Sequence, residues 1–385
     1  MLERPPLSLY IHIPWCIRKC PYCDFNSHES GSPLPELEYI NALLDDFNHE
    51  VARLENNDRE LVSIFIGGGT PSLFDGKSYS RLLKDIESKL PFSEQIEITL
   101  EANPGTAEAA RFDSYREAGI NRLSIGAQSF DDECLKRLGR IHDAAEALRA
   151  IEIAKLAGFK NFNIDLMHGL PGQSSEQALK DIQKAIDCEP SHLSWYQLTI
   201  EPNTVFYSRP PTLPEECVLE DIQDNGQALL ENHGYQQYEV SAYSKAGNAS
   251  SHNLNYWSFG DYIGIGAGAH GKLTLIEESK LIRTHKMKQP NQYLNAINGR
   301  DAEIQEIAKQ EMAIEFMMNS LRLRAGFSRA QFESRTGLGF DEIVKRVESL
   351  VERELIQMKN VERDIFISAT PRGYRFLNSV IEEFL

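Results

Sequence analysis

The sequence predicts a parallel α/β fold followed by a smaller C-terminal module, and three observations lead to it. Six β-rich segments alternate with helical patterns over residues 1 to 205, polar and glycine residues gather just after those segments, and the composition changes again near residue 300. Serial strand–helix alternation requires a parallel sheet covered by helices, because the right-handed crossover returns each strand beside its predecessor. Six units suit an open barrel or a doubly wound sheet, and in both the C-terminal rim of the strands is where sites are built.

Taken in order, the strands are expected at "LSLYIHIP" (7 to 14), "LVSIFIGGG" (61 to 69), "IEITLEANP" (96 to 104), "NRLSIGAQS" (121 to 129), "NFNIDLMHG" (161 to 169) and "LSWYQLTIEP" (193 to 202). Between them, helical faces show in Leu37, Ile40, Leu44, Phe47, Val51 and Leu54, and again in Leu148, Ile151, Ala154 and Leu156, the latter closed by Gly158. "SSEQ" at 174 to 177 has the Ser-x-x-Gln form of a capping box. The rhythm breaks at "SRPPTLPEE", so residues 1 to 205 are expected as the core and 206 to 300 as a mixed connecting segment. Residues 301 to 385 read as a winged-helix-like α+β module: helices around 304 to 323, 328 to 335 and 341 to 354, the strand-like "QMKNVERDIFIS", and a final helix. That module carries 12 Lys and Arg against 15 Asp and Glu, so covering the barrel mouth or meeting a protein partner suits it better than holding DNA.

A chain of 385 residues that is 41% hydrophobic can bury an ordinary core. No apolar run approaches the roughly 18 to 20 residues of a membrane span, and "MLERPPLSLY" lacks the apolar core of a signal peptide, so a cytoplasmic protein is expected. The net charge of −17 argues against a nucleic-acid partner.

Three of the six cysteines, Cys16, Cys20 and Cys23, crowd into "CIRKCPYC". Cys134, Cys188 and Cys217 are isolated and are expected as buried structural thiols. The close trio could hold structural zinc completed by His12 or His28, but such sites commonly pair two C-x2-C knuckles, and no second knuckle exists. Spacing Cys-x3-Cys-x2-Cys fits a [4Fe–4S] cubane better, with three thiolates on three irons and the fourth iron open to a ligand.

With Pro21 and Tyr22 before the last cysteine, this loop resembles the signature of the radical S-adenosylmethionine superfamily, which follows the first strand of a partial (β/α)6 barrel. The resemblance implies that the open iron is chelated by S-adenosylmethionine, reduced there to a 5′-deoxyadenosyl radical. "GGGTP" (67 to 71), one strand later, resembles the superfamily's glycine motif, so Gly68, Gly69 and Thr70 are implied to meet the ligand's amino group. By the same resemblance Tyr10, Tyr22, Glu101, Gln128, Arg140 and Asp165 contact S-adenosylmethionine, with Arg140 suited to its carboxylate.

"YIHIPWC", "GGGTPS", "NRLSIGAQSF", "LGRIH" and "IDLMHGLPGQ" together resemble the oxygen-independent coproporphyrinogen III oxidase (HemN) family and, within it, the HemW group of haem chaperones. The oxidase carries a further cysteine two residues after the third, where this chain has Phe25, and an N-terminal extension before the first strand. "HNLNYW" (252 to 257) matches a His-Asn-x-x-Tyr-Trp motif associated with haem, implying a site at His252, Asn253, Tyr256 and Trp257, with His270 a rival ligand. From the residues alone, that stretch reads as a packed loop in which His252 caps a helix and Trp257 fills core. The resemblance implies transfer of haem to acceptor haem proteins, membrane-associated respiratory enzymes among them, and leaves a homodimer open. The enzyme alternative is oxidative decarboxylation of coproporphyrinogen III.

Overall fold

Strands β1 (Leu7–Ile13), β2 (Leu61–Gly68), β3 (Phe92–Ala102), β4 (Arg122–Gln128), β5 (Asn161–His168) and β6 (His192–Gln197) pair in chain order, each parallel to the next. These are the six expected strands, although β3 begins at Phe92 and β6 stops at Gln197. The computed structural model describes residues 2–31, 33–54, 57–105, 109–297, 299–362 and 364–385. The strands of a parallel sheet are covered on both faces, which is why β1 is buried along almost its whole length.

The sheet does not stop at the sixth strand. Strands β7 (Gln236–Glu239) and β8 (Ala242–Ser244) extend one edge, antiparallel, while β9 (Asp261–Ile265) pairs parallel with β1 on the other. Beyond β9 lie β10 (His270–Leu275), β11 (Lys280–Lys286) and β12 (Asp301–Glu306), giving a twelve-stranded sheet in the order β12-β11-β10-β9-β1-β2-β3-β4-β5-β6-β8-β7. Segments expected as a connector thus form both wings of the sheet. The helix expected from 304 is a strand up to Glu306 and becomes helix only at Met312–Ser320.

The helix Glu36–Ala52 buries Tyr39, Ile40, Leu43 and Phe47, each such side chain contributing about 1.5–3 kcal/mol. Leu37, expected on that face, is exposed. Two acids join the buried face instead: Asp46 and Glu50 lie 2.7 and 2.5 Å from the buried Lys286 Nζ, which also reaches Asp301 at 2.8 Å. In the helix Ala144–Leu156 the buried stripe is Ala147, Ala150, Ile151 and Ala154, with Leu148 and Leu156 outside it, because small residues let the helix lie close to the sheet. Ser174 and Gln177 form the expected capping box, and Asp143 with Glu146 forms another. Cys134 is buried and Cys188 half-buried, but Cys217 is exposed, set in the first turn of Glu216–Asn232 whose inner side is Ile222, Gly226 and Leu230.

The C-terminal module places Met312–Ser320, Arg329–Thr336 and Val344–Glu352 before an antiparallel hairpin, Ile356–Val361 with Asp364–Ala369, in winged-helix order. Its core runs into the barrel's: Phe316 meets Phe259 edge-on at 5.5 Å. Arg324 N–H donates to Tyr238 O at 2.9 Å, and Gln331 Nε2 donates to Ser258 O at 3.1 Å. These contacts lie toward the N-terminal ends of the barrel strands, so the module stands opposite the cysteine rim and does not cover it. No helix among the described residues is long and apolar enough to cross a membrane.

Candidate functional site

Alternation along the strands turns Ser8, Tyr10 and His12 of β1 to the barrel interior, together with Phe65, Glu101, Ser124 and Asp165 of the next strands. At the C-terminal rim these interior residues open into a cavity of about 340 Å³ lined by Cys16, Cys20, Tyr22, Cys23, Gly68, Gly69, Thr70, Glu101, Gln128, Arg140 and Asp165. All the residues expected at the cluster and at S-adenosylmethionine are therefore in one place except Tyr10. Its ring lies deeper, stacked on Phe65 at 6.2 Å, and its hydroxyl lies 3.0 Å from His12 Nδ1.

The cysteine loop hangs from the end of β1. Trp15 and Cys16 pair with His28 and Glu29, and Cys23 N–H closes a turn on Cys20 O at 3.1 Å. His12 fastens the loop from below: its Nε2–H donates to Asn26 O at 2.8 Å, so Nδ1 accepts from Tyr10. Burial brings the His12 imidazole down to about 4, keeping it neutral. The Cys16 and Cys23 thiols are pushed up, chiefly by burial, with hydrogen bonds from Thr70, Ser27 and the Phe25 backbone opposing it. Among the described residues no three His, Cys, Asp or Glu side chains are placed to share one ion. A cubane spreads its thiolates over separate irons, so it requires no such convergence.

The glycines are required by contact. A Cβ on Gly69 would sit 2.5 Å from Trp15 O, and one on Gly68 2.6 Å from the His12 ring, at a φ of +114°. Gly68 N–H donates to Glu101 Oε2 at 3.0 Å, leaving the loop backbone lying along the cavity wall.

Charge inside the cavity is unevenly matched. Burial and then the Asp165 charge lift the Glu101 carboxyl from 4.5 to about 8, against the Gly68 N–H that favours its anion. Asp165 is raised by burial too, although Ser124 and Asn163 donate to it at 2.9 and 2.8 Å. Arg140 places Nη2 2.8 Å from Asn103 Oδ1 and 3.1 Å from Gly126 O, and Nη1 3.5 Å from Cys20 Sγ. Its Nε is buried without a partner, and no carboxylate among the described residues makes an ion pair with it. A buried donor left unpaired costs about 1–3 kcal/mol, so this guanidinium suits an anionic group brought in by a ligand. Gln128 closes β4 in the left-handed region at φ +67°, where the register with β5 shifts. Such a conformation is uncommon for a residue with a side chain and is held by its surroundings.

Asn103, Ser124 and Asn163 escaped the sequence reading, yet each orients an expected residue. Asn103 also donates to Thr70 Oγ1 at 2.9 Å. Strand spacing was the available signal, since Asn103 lies two residues after Glu101 and Asn163 two before Asp165.

The "HNLNYW" stretch is a helix, Ser251–Trp257, set at the N-terminal end of the barrel, with the Ser250 hydroxyl and the Ser251 N–H donating to Glu97 Oε1. His252 points inward, its ring stacked on Phe65 at 4.8 Å and its Nδ1 buried without a partner. Burial pulls its imidazole down to about 4. Asn253 Nδ2 donates to Tyr238 Oη at 3.1 Å. Tyr256 and Trp257 stand edge to face at 4.7 Å rather than as parallel plates, and Arg322 of the C-terminal segment lies 4.2 Å over Trp257. The motif therefore spreads between the barrel interior and the module contact. His270 is elsewhere, stacked on His285 at 4.0 Å across β10 and β11.

Comparison with known proteins places this geometry. Residues 10–185 match the radical SAM superfamily, and residues 307–376 match the HemN C-terminal domain. The chain is 51% identical to the heme chaperone HemW of Haemophilus influenzae, over all of this chain and 99% of that one. It is 50% identical to the heme chaperone HemW of Escherichia coli, over the full length of both. The solved coproporphyrinogen III oxidase (HemN) of Escherichia coli, 23% identical, superposes with a TM-score of 0.80 over 99% of this chain and 90% of that one, which establishes a shared fold. With the radical SAM barrel, the HemN-type C-terminal module and half of all residues shared end to end with these relatives, the chain belongs to the HemW family of the radical SAM superfamily.

Proposed function

We propose that this protein is a haem chaperone that binds haem and passes it to acceptor haem proteins, and that it holds a [4Fe–4S] cluster and S-adenosylmethionine in the barrel cavity. Cys16, Cys20 and Cys23 would hold the cluster, which when bound supplies an electron and an open iron. The observation carrying the cofactor reading is Arg140, a half-buried guanidinium beside the Cys20 thiol whose Nε is buried without a partner and which makes no ion pair with a carboxylate among the described residues. It would take the methionine carboxylate as a charge-assisted pair. The Gly68–Thr70 backbone would receive the amino group, Glu101, Gln128 and Asp165 the ribose, and Tyr22 would pack beside the ligand. Full-length identity to two proteins described as haem chaperones supports the haem reading. His252 offers the iron a neutral imidazole with a free Nδ1, while Asn253, Tyr256 and Trp257 fix the helix that carries it. Its acceptors would be haem proteins, including membrane-associated respiratory enzymes, and its compartment the cytoplasm.

The test is anaerobic reconstitution followed by two titrations. Iron–sulfur absorbance lost in Cys20→Ala, S-adenosylmethionine binding lost in Arg140→Gln, and a haem Soret shift altered in His252→Ala are expected. Conversion of coproporphyrinogen III to protoporphyrinogen IX in the presence of reductant would overturn the chaperone reading in favour of the oxidase.

A further inference from the structure

A chain of side-chain hydrogen bonds crosses the barrel from the "HNLNYW" helix to the cofactor cavity. Asn253 Nδ2 donates to Tyr238 Oη at 3.1 Å, Tyr238 Oη lies 2.9 Å from His192 Nε2, His192 Nδ1 lies 2.7 Å from Asn163 Oδ1, and Asn163 Nδ2 donates to Asp165 Oδ1 at 2.8 Å. Chemistry sets the direction of every link. Asn163 spends its amide hydrogens on Ser124 and Asp165, so its Oδ1 accepts and His192 must carry its proton on Nδ1. Nε2 then offers only a lone pair, so the Tyr238 hydroxyl donates to it and its oxygen accepts from Asn253. His192 and Asn163 are 1% and 3% exposed, which leaves little room for water to substitute for a lost link. Burial, with Arg122 nearby, holds His192 far below its ordinary range, so it transmits a tautomer and not a charge.

We infer that Tyr238 and His192 are positioning residues that make the hydrogen-bonding state of Asp165 depend on Asn253, coupling the two ends of the barrel. This rests on the reading that haem binds at the motif helix and S-adenosylmethionine in the cavity. The same chain has a reversed polarity, paired at every link except the last, where Asn163 meets Asp165. If a ligand turns the Asn253 amide so that its oxygen faces Tyr238, the hydroxyl donates to Asn253 and its oxygen accepts from His192 Nε2–H. His192 Nδ1 then accepts from a flipped Asn163 amide, whose oxygen faces Asp165. One proton changes nitrogen on His192 and none is gained or lost. Asp165 exchanges a donor for a carbonyl oxygen, so its carboxylate is less stable and holds a ligand hydroxyl less well. Occupancy of the motif end therefore weakens binding at the cavity.

The experiment is calorimetric titration of the reconstituted full chain with S-adenosylmethionine, with and without haemin, alongside ¹⁵N NMR of His192. Wild type should show the Nδ1–H tautomer when free of both ligands, and haemin should lower S-adenosylmethionine affinity by about fivefold or more. Tyr238→Phe and His192→Ala should abolish the haemin effect. His192→Gln, which keeps one donor and one acceptor, should restore part of it. An Nε2–H tautomer in the free protein, a wild-type affinity indifferent to haemin, or a haemin effect that survives Tyr238→Phe and His192→Ala would each overturn the inference while leaving the cofactor reading intact. Wild type that binds neither ligand would overturn both.

Discussion

Replacing Glu101 by Gln removes the one carboxyl in the cavity that is lifted to about 8 from 4.5. Between those two values the folded protein keeps a proton that the unfolded chain has lost. Stability must therefore fall as pH rises across that window, by no more than about 1.4 kcal/mol per pH unit, and level off above it. Glu101→Gln preserves shape and the acceptor for Gly68 N–H but cannot titrate. Its stability should lack this decline, so the variant gains on wild type from about pH 5 to about pH 8. A cationic ligand acts oppositely, favouring the carboxylate, so wild type should release a proton on binding S-adenosylmethionine near neutral pH and the variant should not. Denaturant midpoints across pH, and binding heats in buffers of different ionisation enthalpy, measure the two effects. Parallel pH–stability curves for the two proteins would refute the argument, because they would mean that Glu101 is not held protonated by its surroundings.

Lys286→Met should cost about 3–5 kcal/mol in denaturant unfolding, since it leaves the buried Asp46 and Glu50, with the half-buried Asp301 beside them, around a lost cation. In Gly69→Ala the new methyl would press on Trp15 O, next to Cys16, and S-adenosylmethionine affinity should drop about tenfold or more by calorimetry. Arg322→Ala should remove the cation over Trp257 and deprive Glu239 of its ion pair, destabilising the module contact by about 1–3 kcal/mol and altering Trp257 fluorescence.

Much of the cavity was legible before any fold was known, because each part is a local pattern. The cysteine spacing and the glycine run after β2 name their chemistry within a few residues, and Glu101 and Asp165 stand near strand ends. The capping box at Ser174 was equally plain, and Asp143 with Glu146 carried the same signal unread. The helix faces were read less well. Leu37 and Leu156 fit a helical period but point outward, since periodicity gives a stripe and packing decides its centre. Cys217 failed for a different reason, since its burial was expected from residue type alone and its place on the helix leaves it exposed.

Six parallel strands covered by helices, and the cysteine rim at their C-terminal ends, follow from the sequence by itself, because strand alternation and handed crossovers leave few arrangements. Tertiary structure alone decided what lies far apart in the chain. It made β9 a neighbour of β1, turned an expected connector into both wings of the sheet, and set the C-terminal module against the end of the barrel away from the cysteines. It set Arg140 half-buried beside Cys20 with no ion pair to a carboxylate among the described residues, and it joined Asn253 to Asp165 through Tyr238 and His192 of two other strands and Asn163 of Asp165's own. Pairing and burial of this kind depend on which surfaces meet, and no local spacing encodes that.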